Sequence, residues 1–172
     1  MRFEGTCYRA HDPRWAFKAL SGDGAALRGA RFNPKAMPAL YLSLDVLTAI
    51  KEANQGFAYK IDPCVLCCYE VACEDIVDLR TPDARAEHSV RFDVMACPWF
   101  ALLADGKEPP SWEIAHRFHK RGMAGILVPS FAPGATTADR NLVLWRWSDR
   151  PLHQVRVFDP GGRLPKDQLS WC

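Results

Sequence analysis

The stretch GARFNPKAMPALYLSLDVLTAIKEA, Gly29 to Ala53, reads as a turn, a strand and a helix in succession. Asn33, Pro34 and Pro38 carry turn chemistry: proline presets φ and removes a donor, and asparagine bonds its own backbone. Ala39 to Ser43 has the short alternating pattern of a strand. Asp45 then stands where a helix N-cap is expected, with the helix running to about Gln55 and closed by Gly56. At about 100° per residue, Val46, Ala49, Ile50, Ala53 and Phe57 form an apolar stripe, while Asp45, Thr48, Lys51, Glu52 and Gln55 lie on the other side. Glu52 therefore does not face the core. Folding grammar leaves three side chains without an assignment: Arg31, Tyr41 and Glu52.

Outward from this stretch, strands are expected at both ends of the chain and helices between them. A short strand spans about Gly5 to Ala10, and a loop-rich segment with one helical turn leads to Phe32. Cys64 to Cys73 is rich in strand formers, with IVDL continuing or neighbouring it. Helical periodicity is expected over Asp93 to Asp105 and Ser111 to Arg121. MAGILVPS reads as a buried strand, and NLVLWRW and HQVRVFD as two more. The class is α+β. At 172 residues with 48% hydrophobic content, one compact domain covers the whole chain. Charged residues make up 24% and the net charge is +2, with no block of one sign, so nothing points to nucleic acid or an anionic membrane. No apolar run reaches the length of a membrane span, and no charged flank with an apolar run marks a secretory signal. Seven cysteines, an odd number, are then expected as reduced thiols in a cytoplasm.

Each chemically suggestive residue has a plain reading as well. Cys64, Cys67 and Cys68 have C-x-x-C spacing but no second ligand pair, so a buried apolar role is expected and no metal. Cys64 and Cys68 should share one strand face and Cys67 the other. His116 and His119 sit three apart on a helix without an acidic partner and read as surface residues. Ser130 ends a buried strand; with G-x-S-x-G absent it reads as a turn residue. Arg31 offers a bidentate fork for phosphate or carboxylate, or an ion pair with Asp23 or Asp45. Tyr41 alternates with Leu40 and Leu42 and is equally a half-buried strand aromatic.

In order along the chain, YR at Tyr8 and Arg9, GARFNP at 29 to 34, ALYLS at 39 to 43, TAIKE at 48 to 52, ILVPS at 126 to 130 and NLVLW at 141 to 145 resemble the RES domain, over roughly residues 5 to 158. The arginine, glutamate and serine that name this family fall on Arg31, Glu52 and Ser130. The tryptophan of many relatives is Phe32 here, which keeps an aromatic. The resemblance implies a bacterial type II toxin that attacks NAD. It also implies a cognate antitoxin, carrying an Xre-like helix-turn-helix and a toxin-binding region, that covers the NAD cleft. The implied fold is similar to the diphtheria-toxin-like ADP-ribosyltransferases: a split, twisted antiparallel sheet with flanking helices.

The implied site residues are Arg31, Tyr41, Glu52 and Ser130 for catalysis, with Tyr8, Arg9, Arg31 and Tyr41 holding NAD as substrate. Breaking the nicotinamide–ribose bond develops positive charge on the ribose, which the Glu52 carboxylate would stabilise. Arg31 and Arg9 would anchor pyrophosphate or ribose. The face of Tyr41 or Tyr8 would stack on the cationic nicotinamide ring, for about 0.5–2 kcal/mol. Ser130 would orient Glu52 or a ribose, and Asn141 reads as structural or as a support behind the residues that touch the ligand. A protein side chain is the favoured acceptor of ADP-ribose, making the chain an ADP-ribosyltransferase; water or phosphate would make it an NAD glycohydrolase or phosphorylase. Rivals from other classes are a non-enzymatic nucleotide- or partner-binding module and a serine hydrolase centred on Ser130. Trp15, Phe17 and Trp112 are either core or an antitoxin contact surface.

Overall fold

The computed structural model describes residues 1–54 and 61–169. Gln55, Gly56 and Phe57, expected to end the Glu52 helix, and Cys172 lie outside the described residues. Strand β1 (Phe3–His11) leads through a 3₁₀ helix (Pro13–Lys18) and α1 (Asp23–Arg28) to β2 (Leu40–Ser43) and α2 (Val46–Ala53). Next come β3 (Val65–Cys73), β4 (Ile76–Asp78), α3 (Pro82–Glu87), α4 (Phe92–Met95), α5 (Trp99–Ala104) and α6 (Ser111–Lys120). Strands β5 (Gly125–Pro129), β6 (Arg140–Leu144) and β7 (His153–Val157) complete the chain. This is the α+β pattern expected, with some differences. IVDL neither continues β3 nor pairs with it, but forms β4 against β5 at the edge of the sheet away from β3, and α3 was not expected. The helix expected over Asp93 to Asp105 is two short helices, because Pro98 lacks the N–H an unbroken helix needs and disfavours α geometry at Cys97. The NLVLWRW strand stops at Leu144, where Trp145 and Arg146 both donate backbone N–H groups to the Ala124 carbonyl.

The seven strands form one sheet in the order β4-β5-β6-β2-β1-β3-β7. Every neighbouring pair is antiparallel except β4–β5 at the edge, which is parallel. The sheet is split at its middle. β1 pairs with β3 along its whole length, Phe3↔Cys73 to His11↔Val65, yet meets β2 at one position, Tyr8↔Ser43. The two halves fork apart from that point, and the cavity described below opens in the fork.

Period-two alternation sorts the side chains into two cores. Leu40, Leu42, Leu127, Leu142 and Leu144 face one side with Cys7, Tyr69 and Val155. Ile126, Val128, Val143 and Trp145 face the other, against Phe32, Met95, Ile114 and Phe118 from the helical layer. β5 and β6 are buried on both faces, which explains why they read as continuous apolar runs. Tyr41 points to the helical side with Val143.

The cysteines divide differently from the expectation. Cys7, Cys67, Cys73 and Cys97 are buried, whereas Cys64 precedes β3 and is exposed. The buried apolar role thus fails at Cys64, because the strand begins one residue later. Burial pushes the Cys7 and Cys73 thiols up to about 12, so both stay neutral and pack as small apolar groups.

Candidate active site

A cavity of about 580 Å³ lies in the fork of the sheet, within the size range of small-molecule sites. Tyr8 and Arg9 come to its wall from β1, Tyr41 and Ser43 from β2, Glu52 from α2, Asn141 from β6, and Arg31 from the segment after α1. Five of the six residues assigned to the site from sequence therefore line this one cavity. Ser130, the sixth, does not line the cavity.

The Arg31 segment belongs to no sheet ladder, so its carbonyls require side-chain partners. Trp112 Nε1 donates to Ala30 O at 2.7 Å, Ser111 Oγ to Arg31 O at 2.5 Å, and Trp145 Nε1 to Phe32 O at 2.8 Å. Trp112 is thereby core, 8% exposed, whereas Trp15 is exposed and stacks on Phe17. Gly29 starts the segment with φ +73°, and a Cβ there would lie 2.8 Å from the Trp112 ring. The Arg31 guanidinium donates through Nη1 to Met95 O at 3.1 Å and Cys97 O at 2.7 Å, and sits 4.7 Å from the Phe131 ring centroid. Carbonyls and a ring anchor it in place of the ion pair weighed from sequence: Asp45 is taken up as the α2 cap. Burial lowers the Arg31 pKa, while Cys97, Glu52 and Tyr41 oppose the shift.

The turn residues set Tyr41. Asn33, fully buried, donates through Nδ2 to the carbonyls of Ala25 and Met37, and its Oδ1 accepts the Tyr41 hydroxyl at 2.8 Å. That hydroxyl also accepts the Phe32 N–H at 2.9 Å. Its polar tip is committed to the frame, which leaves the ring for the cavity. Burial raises the phenol pKa well above its ordinary value, so it stays protonated. On β1, Arg9 donates to Ser21 O at 3.3 Å, and burial lowers its pKa.

Among the described residues, Glu52 is the carboxylate that lines the cavity. Its Oε1 accepts from Ser130 Oγ at 2.6 Å and from Asn141 Nδ2 at 2.5 Å. Asn141 is fixed in turn, since its Oδ1 accepts the Ser43 hydroxyl at 2.8 Å. Ser130 Oγ accepts the Ala132 N–H at 3.2 Å, which directs its proton toward Glu52. Asn141 therefore supports the carboxylate, one of the two roles weighed for it from sequence, whereas Ser43 was passed over; together they form a relay ending on Glu52.

Asp139 was missed entirely. It is buried, and its carboxylate accepts from Thr48 Oγ1 at 2.7 Å, Lys51 Nζ at 2.8 Å and Thr136 N at 2.7 Å, while its carbonyl accepts the Ser130 N–H at 2.9 Å. Lys51, Thr136 and Thr48 hold its carboxyl well below the ordinary carboxylate range. Thr48 and Lys51 lie four residues and one residue before Glu52 on α2, so Asp139 clamps that helix to the β5–β6 connection carrying Ser130. Thr48 is accordingly fully buried, although the helical period places it on the polar side.

His116 and His119 are exposed on α6. Among the described residues, no group of three or more His, Cys, Asp or Glu side chains converges as metal ligands, and no helix is long and apolar enough to cross a membrane.

The family model described as RES domain matches residues 6–167 of the chain. No curated protein matches it. Among solved structures, the chain is similar to one from the crystal structure of the M. tuberculosis MbcT–MbcA toxin–antitoxin complex, with a TM-score of 0.63 and 24% identity over 92% of this chain and 84% of that one. The likeness is one of fold, and the α+β architecture expected from the sequence, a split and largely antiparallel sheet with flanking helices, is the one adopted.

Proposed function

The chain belongs to the RES domain family, and on that premise we propose that it is the toxin of a type II toxin–antitoxin system, cleaving NAD at the nicotinamide–ribose bond and transferring ADP-ribose to a protein side chain. The observation that carries this reading is the Glu52 carboxylate, fixed by Asn141 and Ser130 in the same cavity wall as Arg31 and Tyr41. When the bond between nicotinamide and ribose C1′ breaks, its electron pair leaves with the ring nitrogen and positive charge develops on the ribose. A carboxylate already oriented stabilises that charge without reorganising at the moment of reaction. The acceptor then attacks C1′ and loses its proton. Arg31 and Arg9 supply cationic anchors for the diphosphate, and the Tyr41 and Tyr8 rings suit the cationic nicotinamide.

The partner in this reading is an antitoxin with an Xre-like helix-turn-helix and a toxin-binding region; the fold neighbour's description as part of a toxin–antitoxin complex supports it. The test is incubation of protein and cell lysate with NAD labelled in its adenylate half. Label joined to a protein band is expected. Label confined to free ADP-ribose or its phosphorylated form would make the chain a glycohydrolase or phosphorylase. Glu52→Gln keeps shape and removes charge, so nicotinamide release should fall by about 100-fold or more. Wild type that releases no nicotinamide, with Glu52→Gln equally toxic in cells, would leave the enzymatic reading without support.

A further inference from the structure

Between α4 and α6 the chain leaves the helical layer and returns beside its point of departure. Both ends of the excursion are fastened to Ala30 and Arg31. The Arg31 guanidinium holds the carbonyls of Met95 and Cys97, the Arg31 carbonyl accepts Ser111 Oγ, and the Ala30 carbonyl accepts the Trp112 indole. Cys97 Sγ donates to Ser111 Oγ at 3.3 Å, closing the base.

The excursion carries α5, Trp99 to Ala104, whose sequence WFALLA is wholly apolar. None of its six residues is buried, and Phe100 is 74% exposed. Trp99, Leu102 and Leu103 are only half-buried and the other three are exposed, and exposed apolar surface of this kind marks a place of contact. Its location indicates with what: Trp99, Phe100, Leu103 and Ala104 line the cavity that Glu52 and Arg31 also line.

We infer that α5 is the nucleobase wall of the site, where the adenine ring of the dinucleotide lies against Trp99 and Phe100. The inference rests on the NAD reading and extends it to the half of the molecule not undergoing reaction. With no charged or hydroxyl side chain, α5 offers contact area and aromatic faces, which suits a flat ring recognised by stacking. The rings of Trp99 and Phe100 stand edge to face at 5.7 Å. Arg31 belongs to both parts, lining the cavity while its guanidinium holds the base of the excursion, so a diphosphate on Arg31 couples the reacting end to the nucleobase wall.

Calorimetric titration with ADP and, separately, with nicotinamide mononucleotide tests this without depending on turnover. Replacing Trp99 and Phe100 together by alanine is expected to weaken ADP binding about 10- to 100-fold, the usual span for losing base–aromatic stacking. Binding of nicotinamide mononucleotide should change by less than about twofold, a factor worth well under 1 kcal/mol. Phe100→Tyr should retain ADP affinity. Equal ADP affinity in variant and wild type, equal loss for both ligands, or no measurable ADP binding by wild type would each overturn the inference. Selective loss of ADP binding in a protein that releases no nicotinamide from NAD would sustain the nucleobase wall while removing the catalytic reading.

Discussion

Replacing Ser130 by alanine separates two roles that the same serine could have. A nucleophile would sit in the cavity wall beside a base, and its loss would cost about a millionfold in rate. Ser130 instead stands outside the cavity, 9% exposed, and its hydroxyl is spent twice: it donates to Glu52 Oε1 at 2.6 Å and accepts the Ala132 N–H at 3.2 Å. Removing it deletes one hydrogen bond to a charged group, worth about 1.5–3 kcal/mol. Asn141 Nδ2 still holds the carboxylate, so the loss of orientation is partial. Taken wholly in the transition state, that energy is a fall of about 10- to 150-fold in the rate constant. KM for NAD should stay within about twofold, because uniform binding of substrate is untouched. The buried Ala132 N–H left unpaired adds about 1–3 kcal/mol of destabilisation, visible as a lower Tm. The assay is nicotinamide release at several NAD concentrations, with the melting curve on the same sample. A rate at the uncatalysed background would make Ser130 the nucleophile, and an unchanged kcat would refute its hold on Glu52.

Three further outcomes follow from the contacts around the site. Asp139→Asn leaves Lys51 and Thr48 facing an amide and should destabilise the fold by about 2–4 kcal/mol, measured by denaturant unfolding, with a fall in nicotinamide release as α2 loosens. A loss under about 0.5 kcal/mol, the ordinary range for surface changes, would show that the clamp is idle. Gly29→Ala places a Cβ against Trp112 at a positive φ and should cost about 1–3 kcal/mol in the same measurement. His11 is buried against Tyr69, and desolvation, followed by the Arg9 charge, lowers its pKa from 6.5 to about 4. The unfolded chain then binds the extra proton first, so stability is fullest above about pH 6.5 and declines as pH falls toward 4, by up to about 3 kcal/mol. His11→Gln should flatten this slope between pH 7 and 4. Asp139, whose folded pKa is depressed, contributes only to the further loss below about pH 4.

How much of this was legible in the sequence depends on the range of the interactions. Turn, strand and helix between Gly29 and Ala53 were readable because each rests on neighbours: Asp45 caps Thr48 three residues on, and Asn33 bonds Met37 and Tyr41 across a short turn. The break at Pro98 was equally local, but the apolar run on either side outweighed it. The frame of Glu52 is different in kind. Its partners Ser130 and Asn141 are 78 and 89 residues away, and Asp139 reaches Thr48 across 91. No periodicity encodes such pairs, because they depend on which strand neighbours which.

The order of the sheet supplies what the pattern could not. Ser43 and Asn141 lie opposite each other because β2 pairs with β6, and Ser130 ends the strand on the far side of β6. A polar residue at a strand end, buried and aimed at another strand's polar residue, costs free energy unless both are satisfied. Here the satisfaction converges on a single acceptor, the Glu52 carboxylate. Ser43 belongs to both arrangements: it faces Tyr8 at the one β1–β2 contact, where the fork opens, and Asn141 across the β2–β6 ladder. The split that makes the cavity and the network that aims a carboxylate into it thus meet at Ser43 on β2, and a substitution that displaced β2 against both of its neighbours would be expected to disturb the two together.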